Sequence, residues 1–525
     1  MPVPFVNYFA KLPLSGLRAR SLAADSCAAR QSILCEKPSL KDFACLISPA
    51  ASRYLEQMAQ KSLMVTRQRF GKIIRLFAPL YLSNECINKC SYCGFSRDNP
   101  ILRTTLSVEE VASEARELKL QGFRNILLVA GEHPKFISNG YVKECIHALH
   151  QFIPSISLEL GPHDIPEYKP LMKSGAEGLV VYQETYDRNA YATYHTAGPK
   201  KNFDWRLETP ERAYSAGFRR LGIGALFGLS DWRSEAIALA AHAQWLSKHC
   251  WKAQITVSIP RIRPCAGNFE PVDLISDRDL TQLICALRLF LPDVGIVLST
   301  REPAALRNGL IPLGITHMSA GSHTSPGGYT GVGSTGMSTP RKAFNTPEHA
   351  EDSDKRTEQA TGQFDIADER TPVEVAGCIS RLGYEPVWKD WDKALPPIDI
   401  WKECVRVLKP GGIFFVDYPI YLHGHYIFML GSIKAIKKLF NTDSWDMIKN
   451  ENWRKNFLPL EPYYSWKGTR KKRANEYLCE KIIWLRKVSV YIESIELRKK
   501  DNSYHYVHSH IGQIIDKLHF RCLWI

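Results

Sequence analysis

Residues 74–95 read IRLFAPLYLSNECINKCSYCGF, an apolar run rich in strand formers that gives way at Ser83 to a loop carrying Cys86, Cys90 and Cys93. The run has the length and composition of a buried parallel strand, and the spacing of its loop is C-x3-C-x2-C. Seven further runs of the same kind follow: NILLVAGEH from Asn125, ISLELGPH from Ile156, GLVVYQETY from Gly178, RRLGIGALFGL from Arg219, AQITVSIPRIRP from Ala253, VGIVLSTRE from Val294 and ITHMSAGSHT from Ile315. Between them lie helix-period segments such as VEEVASEARELKLQG from Val108 and SEAIALAAHAQWLSK from Ser234, and Gly122, Gly175 and Gly217 stand where left-handed caps would end helices. Eight strands alternating with helices predict a closed (β/α)8 barrel of the TIM type, an α/β fold. An open doubly wound sheet is the alternative with the same alternation. In the barrel, residues at the carboxyl ends of the strands share one face, where such folds carry their chemistry.

The 525 residues exceed one small module, and 45% hydrophobic with 23% charged residues suits a chain with a large core rather than a disordered one. The formal charge is +14, but from Lys393 onward there are 23 Lys and Arg against 13 Asp and Glu, so +10 of it belongs to the last quarter. Three parts are expected: a partly helical N-terminal extension over 1–60, the barrel over 61–392, and a small basic α/β fragment over 393–525. Within the barrel part, the Gly-, Ser-, Thr- and Pro-rich stretch 325–363 reads as a flexible insertion, and Thr371–Asp392 as a final helix with a docking strand. The apolar stretch Ile413–Ile433 is interrupted by Asp417, Pro419, His423 and His425 and reads as strand, turn and helix, not a membrane span. Fourteen cysteines without a disulfide-like ladder point to a reducing compartment, the cytoplasm. Lys11, Arg18, Arg20 and Arg30 against Asp25 alone leave an organellar transit peptide as the alternative.

Three thiolates on one short loop predict a metal centre. Structural zinc takes four ligands, usually as two separated pairs, and no second C-x2-C occurs in the chain. An iron–sulfur cubane held by three cysteines keeps one iron open to an outside ligand. At the end of the seventh strand, Ser299 with Arg301 forms a hydroxyl–guanidinium pair suited to a substrate carboxylate. Arg261 and Arg263 share a strand face; Arg263 is taken as part of the substrate site and one of the two as structural. His133, His317 and His323 carry no assigned role.

The cysteine spacing, with an aromatic residue, Tyr92, before the last cysteine, resembles the radical S-adenosylmethionine superfamily. The resemblance implies a [4Fe-4S] cluster on Cys86, Cys90 and Cys93 whose open iron binds S-adenosylmethionine, and cleavage of that cofactor to a 5'-deoxyadenosyl radical. It places Tyr92 beside the cofactor, likens Gly131 and Glu132 to the superfamily's glycine-rich edge near the methionyl amine, and likens Arg206 to an arginine that pairs with the cofactor carboxylate. Gln183 and Glu184 then face its ribose.

The stretches LISPAASRYLEQMAQ, LLVAGEH, VYQETY, WRLETPER, GIGALFGLSDWR, IPRIRPCAG, LSTRE, SAGSHTSPGGY and PVWKDWD together resemble the 2-iminoacetate synthase family, the tyrosine lyases of thiamine thiazole biosynthesis, over roughly residues 45–392. The resemblance implies cleavage of the Cα–Cβ bond of L-tyrosine to 2-iminoacetate (dehydroglycine) and 4-methylphenol, with thiazole synthase and a flavodoxin or ferredoxin as partners. A hydrogenase-maturation-type tyrosine lyase is the nearest alternative, but the late cysteines Cys378, Cys404, Cys479 and Cys522 are too scattered for a second cluster motif. A biotin synthase-like sulfur insertion enzyme is more distant. A non-catalytic metal-binding protein whose tail binds nucleic acid through KGTRKKR and LRKK is the alternative from another class; such charge runs more often form solvated faces, so neither nucleic acid nor membrane is expected as a partner. The tail departs from the family: IWKECVRVLKPGGIFFVDYP from Ile400 resembles the later half of a class I methyltransferase, without that fold's cofactor loop upstream, and is read as lacking methyl-transfer activity.

Overall fold

The computed structural model describes residues 4–267, 269–331 and 361–388, together with the four strands Ile413–Ile420, Gly424–Gly431, Ile482–Arg486 and Arg521–Trp524. The chain divides into two compact units, Met1–Lys389 and Asp390–Ile525.

In the first unit all eight expected runs are strands: β1 Ile73–Ser83, β2 Asn125–Ala130, β3 Ser155–Glu159, β4 Ala176–Glu184, β5 Arg220–Ala225, β6 Gln254–Ser258, β7 Gly295–Leu298 and β8 His317–Ser319. Each pairs in parallel with its successor, and β8 pairs back onto β1 through Arg75–Phe77 and His317–Ser319, which closes the barrel. The final helix, Pro372–Arg381, is followed by β9, Glu385–Val387, which docks in parallel on the start of β1.

Local sequence fixes the helix ends. Ser107 accepts from the Glu110 amide at 3.2 Å while Glu110 accepts from the Ser107 amide at 2.7 Å, a capping box opening the helix Val108–Leu120. Thr371 and Glu374 repeat it at the final helix. Gly122, Gly175 and Gly217 have φ of 105°, 119° and 118°, the left-handed region expected of them. The apolar helix faces meet the outer faces of the strands in one continuous core; Ile74, Leu76, Ala78 and Leu80 of β1 are fully buried. Residues 5–46 add four short helices to this unit, with Phe5 stacked on His242 at 4.0 Å and its amide donating to Glu211 at 2.8 Å.

In the second unit Ile413–Ile420 pairs antiparallel with Gly424–Gly431 and with Arg521–Trp524, and Gly424–Gly431 pairs with Ile482–Arg486. Where the sequence reading expects strand, turn and helix over Ile413–Ile433, the second element is also a strand. GHYIFMLG is eight residues rich in aromatic and aliphatic side chains, too short and too strand-prone for a spanning or packed helix. Of the insertion expected over 325–363, residues 332–360 lie outside the described residues, as do the KPGG turn and the basic runs of the tail. No helix among the described residues is long and apolar enough to cross a membrane.

Candidate active site

The cysteine loop leaves the carboxyl end of β1 and is tied down by polar side chains. Asn84 donates to the Leu102 carbonyl at 2.8 Å. Arg103 donates to the carbonyls of Asn84, Phe95 and Ser96 at 2.6, 2.9 and 2.6 Å, gathering both ends of the loop on one guanidinium. Asn88, between the first two cysteines, donates to Glu132 at 2.7 Å and to the Cys86 sulfur at 3.7 Å, and accepts from the Lys200 amide at 2.9 Å. A Cβ on Gly131 would stand 2.3 Å from the Glu85 carbonyl oxygen and 3.0 Å from the Cys86 Cβ, so only glycine lets β2 end against this loop.

Cys90 is buried, and Cys86 and Cys93 are half-buried. Burial pushes the Cys90 thiol up to about 12 and the Cys93 thiol up to about 11; the neighbouring thiols add to both shifts, and the Lys200 charge opposes them. Burial therefore favours the neutral thiols of Cys90 and Cys93 when no metal is bound. Three cysteine sulfurs on one loop, with the Asn88 amide donating to that of Cys86 and the Gln363 amide to that of Cys93, form a donor set that fits the three held corners of a cubane.

A cavity lies beside Cys93 inside the barrel mouth. Of the residues singled out in the sequence, Tyr92, Cys93, Glu184, Ser299, Arg301 and Arg263 line it; Cys86, Cys90, Gly131, Glu132, Gln183 and Arg206 do not. Gln183 turns its amide to the Phe203 carbonyl, and Arg206 stands behind the wall, donating to the Tyr182 carbonyl at 2.7 Å and approaching Glu184 at 3.5 Å. Glu184 has φ 71°, in the left-handed region that glycine usually occupies, at an irregularity in the pairing of β4 with β5. Burial works against its charge, but Lys200 at 2.7 Å and Arg206 outweigh it and hold the carboxyl below its ordinary range. The turn after Glu184 is held by buried Glu235, which accepts from Thr185 Oγ1, from Ser230 Oγ and from the Tyr186 amide at 2.8 Å.

Tyr92 Oη lies 2.6 Å from His195 Nε2, while His195 Nδ1 lies 2.8 Å from the Tyr191 carbonyl. The carbonyl requires the proton on Nδ1, so Tyr92 donates to Nε2. Burial and the Lys200 charge push this histidine down to about 3, which keeps it neutral. Arg301 has its guanidinium 3.4 Å from the Phe364 ring centroid. Arg261 is the structural arginine of its pair, engaged by Glu302 and by Asp277 at 2.7 Å, whereas the buried Nε of Arg263 has no hydrogen-bond partner among the described residues. His317 lies at the start of β8, against Arg75 and Thr316, not at the mouth.

Among the cavity residues without an assignment in the sequence reading, Lys200, Gln363 and Glu159 bear most directly on the chemistry. Lys200 comes from the loop after β4, and nothing in GPKK marks it. Gln363 returns after the insertion to reach Cys93. Glu159 ends β3, and the rule that selects Ser299 at the end of β7 selects it equally. Its carboxyl faces the cavity but lies deep below the protein surface; burial, then the charge of Glu184, push it up to about 7.

The profile of the Radical SAM superfamily matches residues 80–240, and that of the Biotin and Thiamin Synthesis associated domain matches 258–385. The chain is 43% identical over 355 residues to the 2-iminoacetate synthase of Escherichia coli (strain K12), covering 67% of this chain and 88% of that protein. It is 41% identical over 358 residues to the 2-iminoacetate synthase of Salmonella typhimurium (strain LT2), covering 68% and 88%. Among solved structures it is similar to the [FeFe]-hydrogenase maturase HydG from Carboxydothermus hydrogenoformans, with a TM-score of 0.60, 32% identity and coverage of 77% of this chain and 86% of that one.

Proposed function

The chain belongs to the 2-iminoacetate synthase family, and from that premise we propose that it cleaves the Cα–Cβ bond of L-tyrosine to 2-iminoacetate and 4-methylphenol for the thiamine thiazole ring. The observation that carries the reading is a single cavity with a cluster-type cysteine on one wall and a hydroxyl–guanidinium pair, Ser299 and Arg301, on another. When bound, the [4Fe-4S] cluster and S-adenosylmethionine supply a 5'-deoxyadenosyl radical that removes a hydrogen atom from the substrate amine.

The chain's own residues bind, orient and desolvate. Cys86, Cys90 and Cys93 hold the cluster. Glu184, kept ionised by Lys200 and Arg206, accepts hydrogen bonds from the cofactor ribose, while Tyr92 packs beside it. Gly131, Glu132, Gln183 and Arg206 act from behind the cavity: the first two seat the cysteine loop, and the others hold the strand that carries Glu184. Ser299 and Arg301 take the tyrosine carboxylate, with Arg263 as a further donor. An ammonium group has no lone pair to stabilise a nitrogen-centred radical, so the amine must first lose a proton. Glu159, whose carboxyl exchanges protons near neutrality, accepts it.

The 2-iminoacetate synthase relatives, at 43% and 41% identity, favour this reading over the hydrogenase-maturation type, whose HydG representatives are 28% and 32% identical. Thiazole synthase would consume the imine, and a flavodoxin or ferredoxin in the cytoplasm would supply the electron. Residues 393–525 are proposed as a fragment added to the catalytic unit, without methyl-transfer activity. Anaerobic incubation of the reconstituted protein with tyrosine, S-adenosylmethionine and reductant tests the reading: it predicts 4-methylphenol without carbon monoxide or cyanide, and either of those gases would place the chain with the maturases.

A further inference from the structure

The segment that re-enters the barrel mouth at residue 361 is stitched to the cysteine loop more closely than a passing connection requires. The Gln363 amide donates to the Thr324 carbonyl at 3.0 Å, and its own carbonyl accepts from the Gly94 amide at 3.0 Å. Asn84 donates to the Thr361 carbonyl at 3.3 Å. A Cβ on Gly94 would stand 2.7 Å from the carbonyl oxygens of both Gly362 and Gln363, so the two backbones touch at the residue after Cys93.

Two partners orient the Gln363 side chain. Tyr81, 5% exposed on β1, donates its hydroxyl to Gln363 Oε1 at 2.8 Å, which turns the NH2 toward the Cys93 sulfur, 3.8 Å from Nε2. Burial pushes the Tyr81 phenol well above its ordinary range, so it remains a donor at any physiological pH. A flipped amide would set its oxygen against a thiolate, a repulsive contact. Tyr81 and Gln363 both line the cavity, so the chain of contacts runs from the substrate space to one cluster ligand.

We propose that Gln363, locked by Tyr81, is a positioning residue whose N–H···S bond to Cys93 raises the reduction potential of the cluster. This rests on the cluster assignment but not on tyrosine cleavage. The physical reason is charge: a reduced cluster places more negative charge on its sulfurs, so a donor to a ligand sulfur stabilises the reduced form more than the oxidised one.

The test is a potentiometric titration of the reconstituted full chain, followed by electron paramagnetic resonance, without tyrosine or S-adenosylmethionine. Gln363→Leu should shift the midpoint potential to more negative values at unchanged iron and sulfide content. Tyr81→Phe keeps the amide but frees it to turn, and should shift the potential in the same direction by less. Should Gln363→Leu fail to assemble a cluster, Tyr81→Phe carries the test alone. Unchanged potentials in the variants that do assemble, or a positive shift in either, would overturn the proposal. Failure of the lyase reading would show separately, as a normal potential shift in a protein that releases no 4-methylphenol.

Discussion

Glu159→Gln should make the protein more stable and less active, and the size of the gain follows from the site. The carboxyl would titrate near 4.5 in the unfolded chain and titrates at about 7 in the native cavity, because burial and the Glu184 charge penalise its ionised form. Between those values the native state binds more protons than the unfolded state, so stability falls as pH rises from 4.5 to 7 and the full cost persists above. At roughly 1.36 kcal/mol per pH unit, the charge costs the ligand-free protein on the order of 3 kcal/mol at pH 8. Glutamine is nearly isosteric and cannot ionise. Urea unfolding of the metal-free proteins should therefore show the variant more stable by about that amount at pH 8 and level with the parent at pH 4. Its turnover of tyrosine should fall by roughly two orders of magnitude, the usual worth of a positioned proton acceptor, and the rate should lose its dependence on a group near pH 7. A variant no more stable at pH 8, or one as active as the parent, would refute the reasoning.

Three further outcomes are expected. Gly131→Ala forces a methyl group against the Glu85 carbonyl, so iron content after reconstitution should fall severalfold while far-ultraviolet circular dichroism is retained; full iron loading would contradict the close approach. Arg301→Ala removes the proposed charged partner of the tyrosine carboxylate, worth about 1.5–3 kcal/mol, so KM for tyrosine should rise by one to two orders of magnitude with a smaller change in KM for S-adenosylmethionine. Glu235→Ala leaves Thr185 Oγ1, Ser230 Oγ and the Tyr186 amide without their acceptor and should lower stability by roughly 3 kcal/mol, as seen in the unfolding midpoint.

All eight barrel strands are legible in the sequence because each is an apolar run punctuated by a cap or a glycine, a local signal that tertiary packing reinforces. The three cysteines share the loop that leaves β1, which their spacing in the sequence already requires. Side-chain direction is less so. Gln183 and Glu184 are neighbours at one strand end, yet the left-handed backbone at Glu184 sends its carboxylate into the cavity while Gln183 turns to Phe203. Arg206 matches a familiar arginine, but its reach to the cavity is taken up by Tyr182 and Glu184. Lys200 and Gln363 arrive from loops, where placement depends on long-range contacts that no short pattern encodes. Over Ile413–Ile433, hydropathy alone does not separate a strand from a short helix, and the strand pairing decides.

The proposed function requires that Cys86, Cys90 and Cys93 hold a [4Fe-4S] cluster able to bind S-adenosylmethionine. Electron paramagnetic resonance of oxygen-free, reduced protein, recorded before and after adding S-adenosylmethionine, tests it most directly. The account predicts the signal of a single reduced [4Fe-4S] cluster that changes on addition of the cofactor and disappears in Cys93→Ser. A protein that binds only zinc, or a cluster whose signal is indifferent to S-adenosylmethionine, would contradict it.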